Sequence, residues 1–358
     1  MHLPPLLYDC VSCGKSCTDF QVEIQAKDLD RVRESAATKA LERAGFTPLQ
    51  LVGNQVFLEK IQGSRCRYLD DETLCLLHKE GGLAHKPRTC QDFPFVPVST
   101  PDGVYLGVSF YCTAVAQSLG RPLTGREAEF ERFSQIPALE PNSQWSLWGE
   151  TAVDWAGYLR IEHFCRTALL EGGLPSIASA AWRLGQTVLS GDSSYLSETT
   201  KGPGALESLL DIAKRIIPLM ESTDDAISQS VAEAIRGQQE FASAALGEKV
   251  LLQAPPPHDP DWFSGEMARY LEHVLFRKSL SSAPNVLSQV CLLGLAGQLV
   301  RIYSYTRAAL NRRDLEREDF WKAVGIVEGR LMVHANGLEP AILESAQRFL
   351  GATSGGAL

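Results

Sequence analysis

Seven of the nine cysteines in this 358-residue chain stand at positions 10, 13, 17, 66, 75, 90 and 112. Thiolates are soft, strong ligands, and several brought together hold zinc or an iron–sulfur cluster. Left without a metal, such a set oxidises or repels itself as thiolates. Cys10, Cys13 and Cys17 form C-x2-C-x3-C within "CVSCGKSC", where Gly14 frees the backbone to turn back on itself. That spacing lets three sulfurs converge on one centre from a single loop. Cys66 and Cys75 flank the turn-rich "DDET", Cys90 follows "HKPRT", and Cys112 follows a second turn segment. All seven are candidate metal ligands, with Cys10, Cys13 and Cys17 the leading three. A tetrahedral zinc takes four ligands and so does a [4Fe–4S] cluster. Three from the first loop plus one distant cysteine would suit the cluster, leaving the others for a second site or for the core.

The remaining polar groups near these cysteines carry less. His78 and His85 read as surface or supporting residues rather than ligands. Asp19, Asp70, Asp71 and Asp92 read as turn formers or solvated carboxylates. Cys165 and Cys291 lie on apolar helical faces and read as core residues. The order C-x3-C-x2-C of radical S-adenosylmethionine enzymes is not the order found here.

The elements that must position the cysteines are short. Residues 26–45 pattern as a helix and residues 51–60 as a strand. "CRYLD" and "LCLLH" read as a hairpin about "DDET", and "PFVPVS" and "VYLGVSF" as a second hairpin about Pro101-Asp102-Gly103. Cys112 then opens a short helix ended by Gly120. From about residue 124 apolar residues recur at three- and four-residue spacing, the sign of helices at about 155–190, 204–220, 224–246, 262–279, 284–311, 315–335 and 338–350. The fold class expected is a small α+β cysteine-rich N-terminal domain followed by a mainly α-helical domain. The boundaries expected are 1–122 for the cysteine domain, 123–352 for the helical domain and 353–358 for a tail. Trp145, Trp148, Trp155 and Tyr158 read as a seam between the two.

Composition sets outer limits. Hydrophobic residues make up 44% and charged residues 22%, the balance of a globular protein rather than of a disordered chain. The formal net charge is −9. Residues 1–120 hold 12 basic and 14 acidic side chains, and the remainder hold 22 and 29, so neither part has the basic excess that nucleic acid binding needs. The apolar run Val286 to Val300 is too short to span a bilayer and reads as a buried core helix. The start of the chain lacks a secretory pattern, so a soluble, cytoplasmic protein without membrane or nucleic acid partners is expected.

At the cysteines the chain resembles the CxxCxxCC cysteine-cluster family of zinc- or iron-chelating domains. Cys10, Cys13, Gly14 and Cys17 match its opening, "CRYLDDETLCLL" (66–77) its middle, "KPRTCQDFPF" (86–95) its third segment and "GVSFYCTAV" (107–115) its end. Ser16 stands where the family has a further cysteine, Lys86 where it has Arg before Pro, and Gln91 where it has Arg after the third-segment cysteine. The resemblance covers residues 8–120 and implies metal binding. A looser similarity reaches flagellin lysine N-methylases, through "TDFQVEI" (18–24), "CTAVAQSL" (112–119) and the helical pair at 159–190. It implies methyl transfer from S-adenosylmethionine to lysine side chains of a protein substrate, beside an iron–sulfur cluster. The alternative is a scaffold in which zinc staples the N-terminal domain and the helices bind a protein partner. No phosphate-binding loop, dinucleotide fingerprint, H-E-x-x-H or G-x-S-x-G occurs.

Overall fold

The computed structural model describes all residues except 63–64, 198–204, 217–240, 243–248, 251–257, 333–338 and 352–358. Contacts divide the chain into two interleaved units. One is Leu6–Val96 with Cys112–Leu123; the other is Met1–Pro5 with Pro97–Tyr111 and Thr124–Leu358. In place of a single cut after residue 122, the second unit takes a short N-terminal piece and one hairpin. A strand-bearing N-terminal region and a mostly helical C-terminal region are both present, as the sequence led one to expect.

The cysteine unit opens with β1 (Leu7–Tyr8), α1 (Lys15–Asp19), β2 (Glu23–Ile24), α2 (Ala26–Glu34) and α3 (Ala36–Arg43). The single helix expected over 26–45 is thus two. Ser35 sits in extended backbone between them and caps α3, its side chain accepting from the Thr38 N–H. Next come β3 (Leu49–Val52) and β4 (Gln55–Leu58), so the strand expected over 51–60 is a hairpin. Gly53-Asn54 reverses the chain there. With β2 these strands form a sheet in the order β2-β4-β3, all antiparallel.

After β5 (Lys60–Ile61) and β6 (Arg65–Cys66) the "DDET" segment forms a closed loop rather than a regular hairpin. Asp70 accepts from the Glu72 and Leu74 N–H groups at 3.0 and 2.8 Å, and Leu69 and Cys75 form an isolated bridge. "LCLLH" turns into α4 (Leu76–Gly81), and α5 (Arg88–Asp92) follows. One small core cluster of this unit buries Val22, Ile24, Val32, Leu58, Cys66, Tyr68 and Leu77 together. Its one buried phenol is satisfied by Thr38, with Oγ1 2.7 Å from the Tyr68 hydroxyl.

The chain then makes the expected second hairpin, β7 (Phe95–Thr100) and β8 (Gly103–Val108). It returns to the cysteine unit through α6 (Thr113–Ala116), with Cys112 at its N-cap, and β9 (Arg121–Pro122). Strand β9 pairs antiparallel with β1, Leu7 opposite Pro122 and Tyr8 opposite Arg121. Gly120 makes this possible: at φ 103°, a Cβ there would lie 2.2 Å from the Asp9 nitrogen. Asp9 and Arg121 close the pairing with a two-pronged ion pair at 3.0 and 2.9 Å.

The helical unit is less uniformly helical than expected. After α7 (Glu131–Ser134), residues 144–154 form a hairpin of β10 (Gln144–Trp148) and β11 (Thr151–Asp154). Alternation in "QWSLW" offers this strand pattern, within a region whose general pattern pointed to helices. Trp155 stacks on Tyr158 at 5.0 Å and Trp145 packs on both. Helix α8 (Trp155–Ser190) contains the expected pair of helices, broken at Gly172-Gly173. Then follow α9 (Ser194–Ser197), α10 (Ala205–Ile216), β12 (Phe241–Ala242), β13 (Lys249–Val250), α11 (Asp261–Phe276), α12 (Val286–Leu310), α13 (Arg317–Val327) and α14 (Glu339–Leu350). The helix expected over 224–246 lies almost wholly outside the described residues.

Helix α12 is the axis of this unit and packs against α8, α10, α13 and α14. By length and composition it is apolar enough to cross a membrane, and its apolar window is fully buried inside the protein, as the core reading requires. Charges buried beside it are paired. Arg277 makes two 2.8 Å bonds to Glu328, and the Lys278 ammonium lies 2.8 Å from both Glu162 carboxylate oxygens. The buried His273 receives the Val108 N–H at 3.0 Å. Burial first, and the Arg277 charge second, push its pKa down to about 3, so it is neutral.

Candidate metal centre

All seven candidate cysteines fall in one unit, because β9 and α6 bring Cys112 back to the segment that carries the other six. Every one is a free thiol. Within the unit they separate into two groups, and the division does not follow the sequence. Cys17 parts from Cys10 and Cys13.

Cys17, Cys66, Cys75 and Cys90 belong to the small core. Cys66 is buried and the other three pack against the same cluster. Each is delivered by a different device. Cys17 sits on α1, whose entry depends on Gly14 at φ 71°; a Cβ there would press to 3.1 Å on Leu69 and 3.3 Å on Thr73. The Thr73 hydroxyl donates to the Ser12 carbonyl at 2.8 Å and fastens the first loop to the Asp70 loop. That loop sets Cys66 and Cys75 on its two flanks. Cys90 is placed by α5, whose Arg88 N–H donates to the buried Asp28 carboxylate at 2.7 Å.

These four thiols share one electrostatic neighbourhood. Burial pushes the Cys66 pKa up to about 11, with Cys17 and Cys75 adding to the rise. Burial also raises Cys17, which feels Cys75, and raises Cys90, which feels Cys17, Cys66 and Cys75. Two lysines oppose the shift: Lys60 acts on Cys17 and Cys66, and Lys86 on Cys17 and Cys90. Lys60 is fixed by the carbonyls that end α1, those of Cys17 at 2.9 Å, Phe20 at 3.2 Å and Thr18. The sequence reading had not singled out either lysine for the site; "KPRTC" placed Lys86 close to Cys90, but nothing in the sequence linked Lys60 to it.

Cys10, Cys13 and Cys112 make the second group. Cys10 and Cys13 are exposed and Cys112 is half-buried. The Cys13 thiol donates to the Thr113 hydroxyl at 3.5 Å, next to Cys112. Burial pushes the Cys112 pKa up to about 11 against the Ala114 and Val115 N–H groups, and the charges that add to the rise are those of Cys13 and Cys10.

Among the described residues, no three His, Cys, Asp or Glu side chains already converge as a preformed ion cage. The donor chemistry nevertheless fits a metal. Four unbridged thiols line one core beside two cations, and a zinc ion or a [4Fe–4S]²⁺ cluster on four thiolates carries a net charge of about −2 that two lysines offset. His78 is exposed, its pKa lowered by partial burial and by Lys86. His85 faces Glu80 at 3.9 Å, outside both groups. Asp70 and Asp92 are engaged by Lys79 and Arg88. Cys165 and Cys291 are buried in the helical unit, as expected of core residues.

The unit is therefore a thiol-rich metal-chelating module. Residues 9–117 match the model of the CxxCxxCC family, described as "Putative zinc- or iron-chelating domain". Neither a curated protein nor a solved structure matches the chain.

Proposed function

We propose that the protein holds one all-thiolate metal centre, a zinc ion or an iron–sulfur cluster, on Cys17, Cys66, Cys75 and Cys90. The observation that carries this reading is the packing of these four thiols into one small core with Lys60 and Lys86 beside them. Bound there, the metal supplies cross-linking of four separate chain segments and, as a cluster, a store for one electron. Four protein thiolates fill a tetrahedral zinc, so such a centre serves structure rather than substrate activation. The cluster that these thiols join has seven buried members, few enough for metal binding energy to matter to its folding. Lys60 and Lys86 would offset part of the repulsion among the thiolates that hold the metal. The comparisons support chelation and carry nothing toward methyl transfer or a partner-binding scaffold.

Anaerobic purification with metal and acid-labile sulfide analysis tests the proposal. Iron with sulfide assigns a cluster, and one equivalent of zinc without sulfide assigns the ion. Protein purified in either way with no thiolate-bound metal, and unable to take up zinc or a reconstituted cluster, would overturn it.

A further inference from the structure

We propose that β3 is a docking edge for a second copy of this chain, the two β3 strands pairing antiparallel about a two-fold axis at Gln50. The sheet order β2-β4-β3 leaves β3 at an edge. Which of its backbone groups face outward follows from its register with β4. The Glu59 N–H donates to the Pro48 carbonyl at 2.9 Å, so the next groups of β3 that face β4 are those of Gln50 and Val52. Leu58, opposite Leu49, instead donates its N–H to the Val22 carbonyl on the far side of β4, at 2.9 Å. The N–H and C=O groups of Leu49 and Leu51 therefore point away from the sheet, and among the described residues no strand pairs with them.

Proteins blunt such edges with charge, proline or a bulge. Here none of these acts outward. Residues 44–58 hold no Asp, Glu, Lys, Arg or His. The missing N–H of Pro48 falls on the side that faces β4, where its carbonyl is already bonded, and the β3–β4 pairs run in unbroken register. Leu51 and Val52 are 73% and 56% exposed.

The occupant is a second copy because the edge is self-complementary. About an axis at Gln50, Leu49 of each copy lies opposite Leu51 of the other, and each such pair exchanges two backbone hydrogen bonds. The same register matches side chains. Leu49 packs against the core cluster and Leu51 shares its face of the sheet, so Leu51 of each copy covers Leu49 of the other. Gln50 meets Gln50, amide to amide. No like charges meet at this edge, although each chain carries a net charge of −9. The shared area is small, so the dimer is weak and reversible.

Sedimentation velocity of the full chain, handled anaerobically, tests this between about 1 μM and about 1 mM, where small interfaces dissociate. Wild type passes from monomer to dimer over that range, and added salt favours the dimer by screening the two net charges. Leu51→Lys weakens association roughly tenfold or more with unchanged circular dichroism, whereas Leu170→Lys, at a position 63% exposed on α8, leaves it unchanged. Gln50→Cys sets two thiols on backbones about 4.5 Å apart at the axis, and peptide mass spectrometry after mild oxidation finds the introduced sulfurs joined. A chain that stays monomeric throughout, as one whose edge takes a different protein would, overturns the proposal. So does a dimer that Leu51→Lys leaves intact or Leu170→Lys weakens equally, or one in which the sulfurs introduced at position 50 never join. Metal content is read separately, so none of these outcomes bears on the buried centre.

Discussion

Cys13 and Cys17 are four residues apart, and the structure puts them in opposite surroundings. Cys17 joins Cys66, Cys75 and Cys90 in a core, with two lysines nearby. Cys13 stays on the surface with Cys10, its thiol donating to the Thr113 hydroxyl next to Cys112. The same donor atom thus stands in two kinds of surroundings. A metal held by four buried thiolates would be closed, tight and slow to exchange. Exposed thiols stay open to solvent and reagents. The difference lies in desolvation, not in atom type.

The strongest way to break this contrast is to remove one donor from the core. Cys66→Ser should abolish the tightly held metal and destabilise the cysteine unit by several kcal/mol, on the order of half of the ~10 kcal/mol typical of structural zinc. Metal analysis and thermal unfolding check it. A Cys66→Ser protein that keeps its tight metal would merge the two groups into one.

Alkylation sharpens the contrast in metal-free protein. At pH 8 a thiol titrating at about 11 is ionised to about one part in a thousand, so Cys66 should be labelled far more slowly than exposed Cys10 and Cys13. Peptide mass spectrometry after short iodoacetamide pulses gives the order of labelling.

Acid separates the helices from both thiol groups. His273 has a folded pKa of about 3 against an ordinary 6.5. Its neutral form is favoured by the fold, so its contribution is complete above pH 6.5 and is lost as the pH falls toward 3. At pH 5 the helical unit should lose about 2 kcal/mol through this residue. His273→Gln should flatten that pH dependence in chemical denaturation, with no change in metal content at neutral pH.

The smallest effect expected is that of the lysines. Lys86→Met removes one offsetting charge and should weaken the buried metal by about 1 kcal/mol, roughly fivefold. Competition with a zinc chelator reads the affinity. An unchanged affinity would remove Lys86 from the surroundings of the centre.

Much of the module was legible in the sequence. Clustering of seven cysteines pointed to a metal because few other arrangements tolerate so many thiols together. The second hairpin announced itself in Pro101-Asp102-Gly103, and the helices after residue 155 in their periodicity. The breaks were harder to see. Ser35 divides α2 from α3 by capping, and Gly53-Asn54 folds one expected strand into two, each a matter of a few backbone angles that composition does not advertise.

By itself, then, the sequence determined the ligand type, the region that holds it and the class of fold, since these follow from side-chain chemistry and hydrophobic period. Only the tertiary structure decided which cysteines pack into the same core. C-x2-C-x3-C favours one loop with one metal, but the left-handed turn at Gly14 starts α1 and carries Cys17 inward, while Cys10 and Cys13 remain outside. Cys112 and Lys60 reach the other cysteines' neighbourhood through contacts distant in sequence, and such closeness is set by packing rather than by spacing.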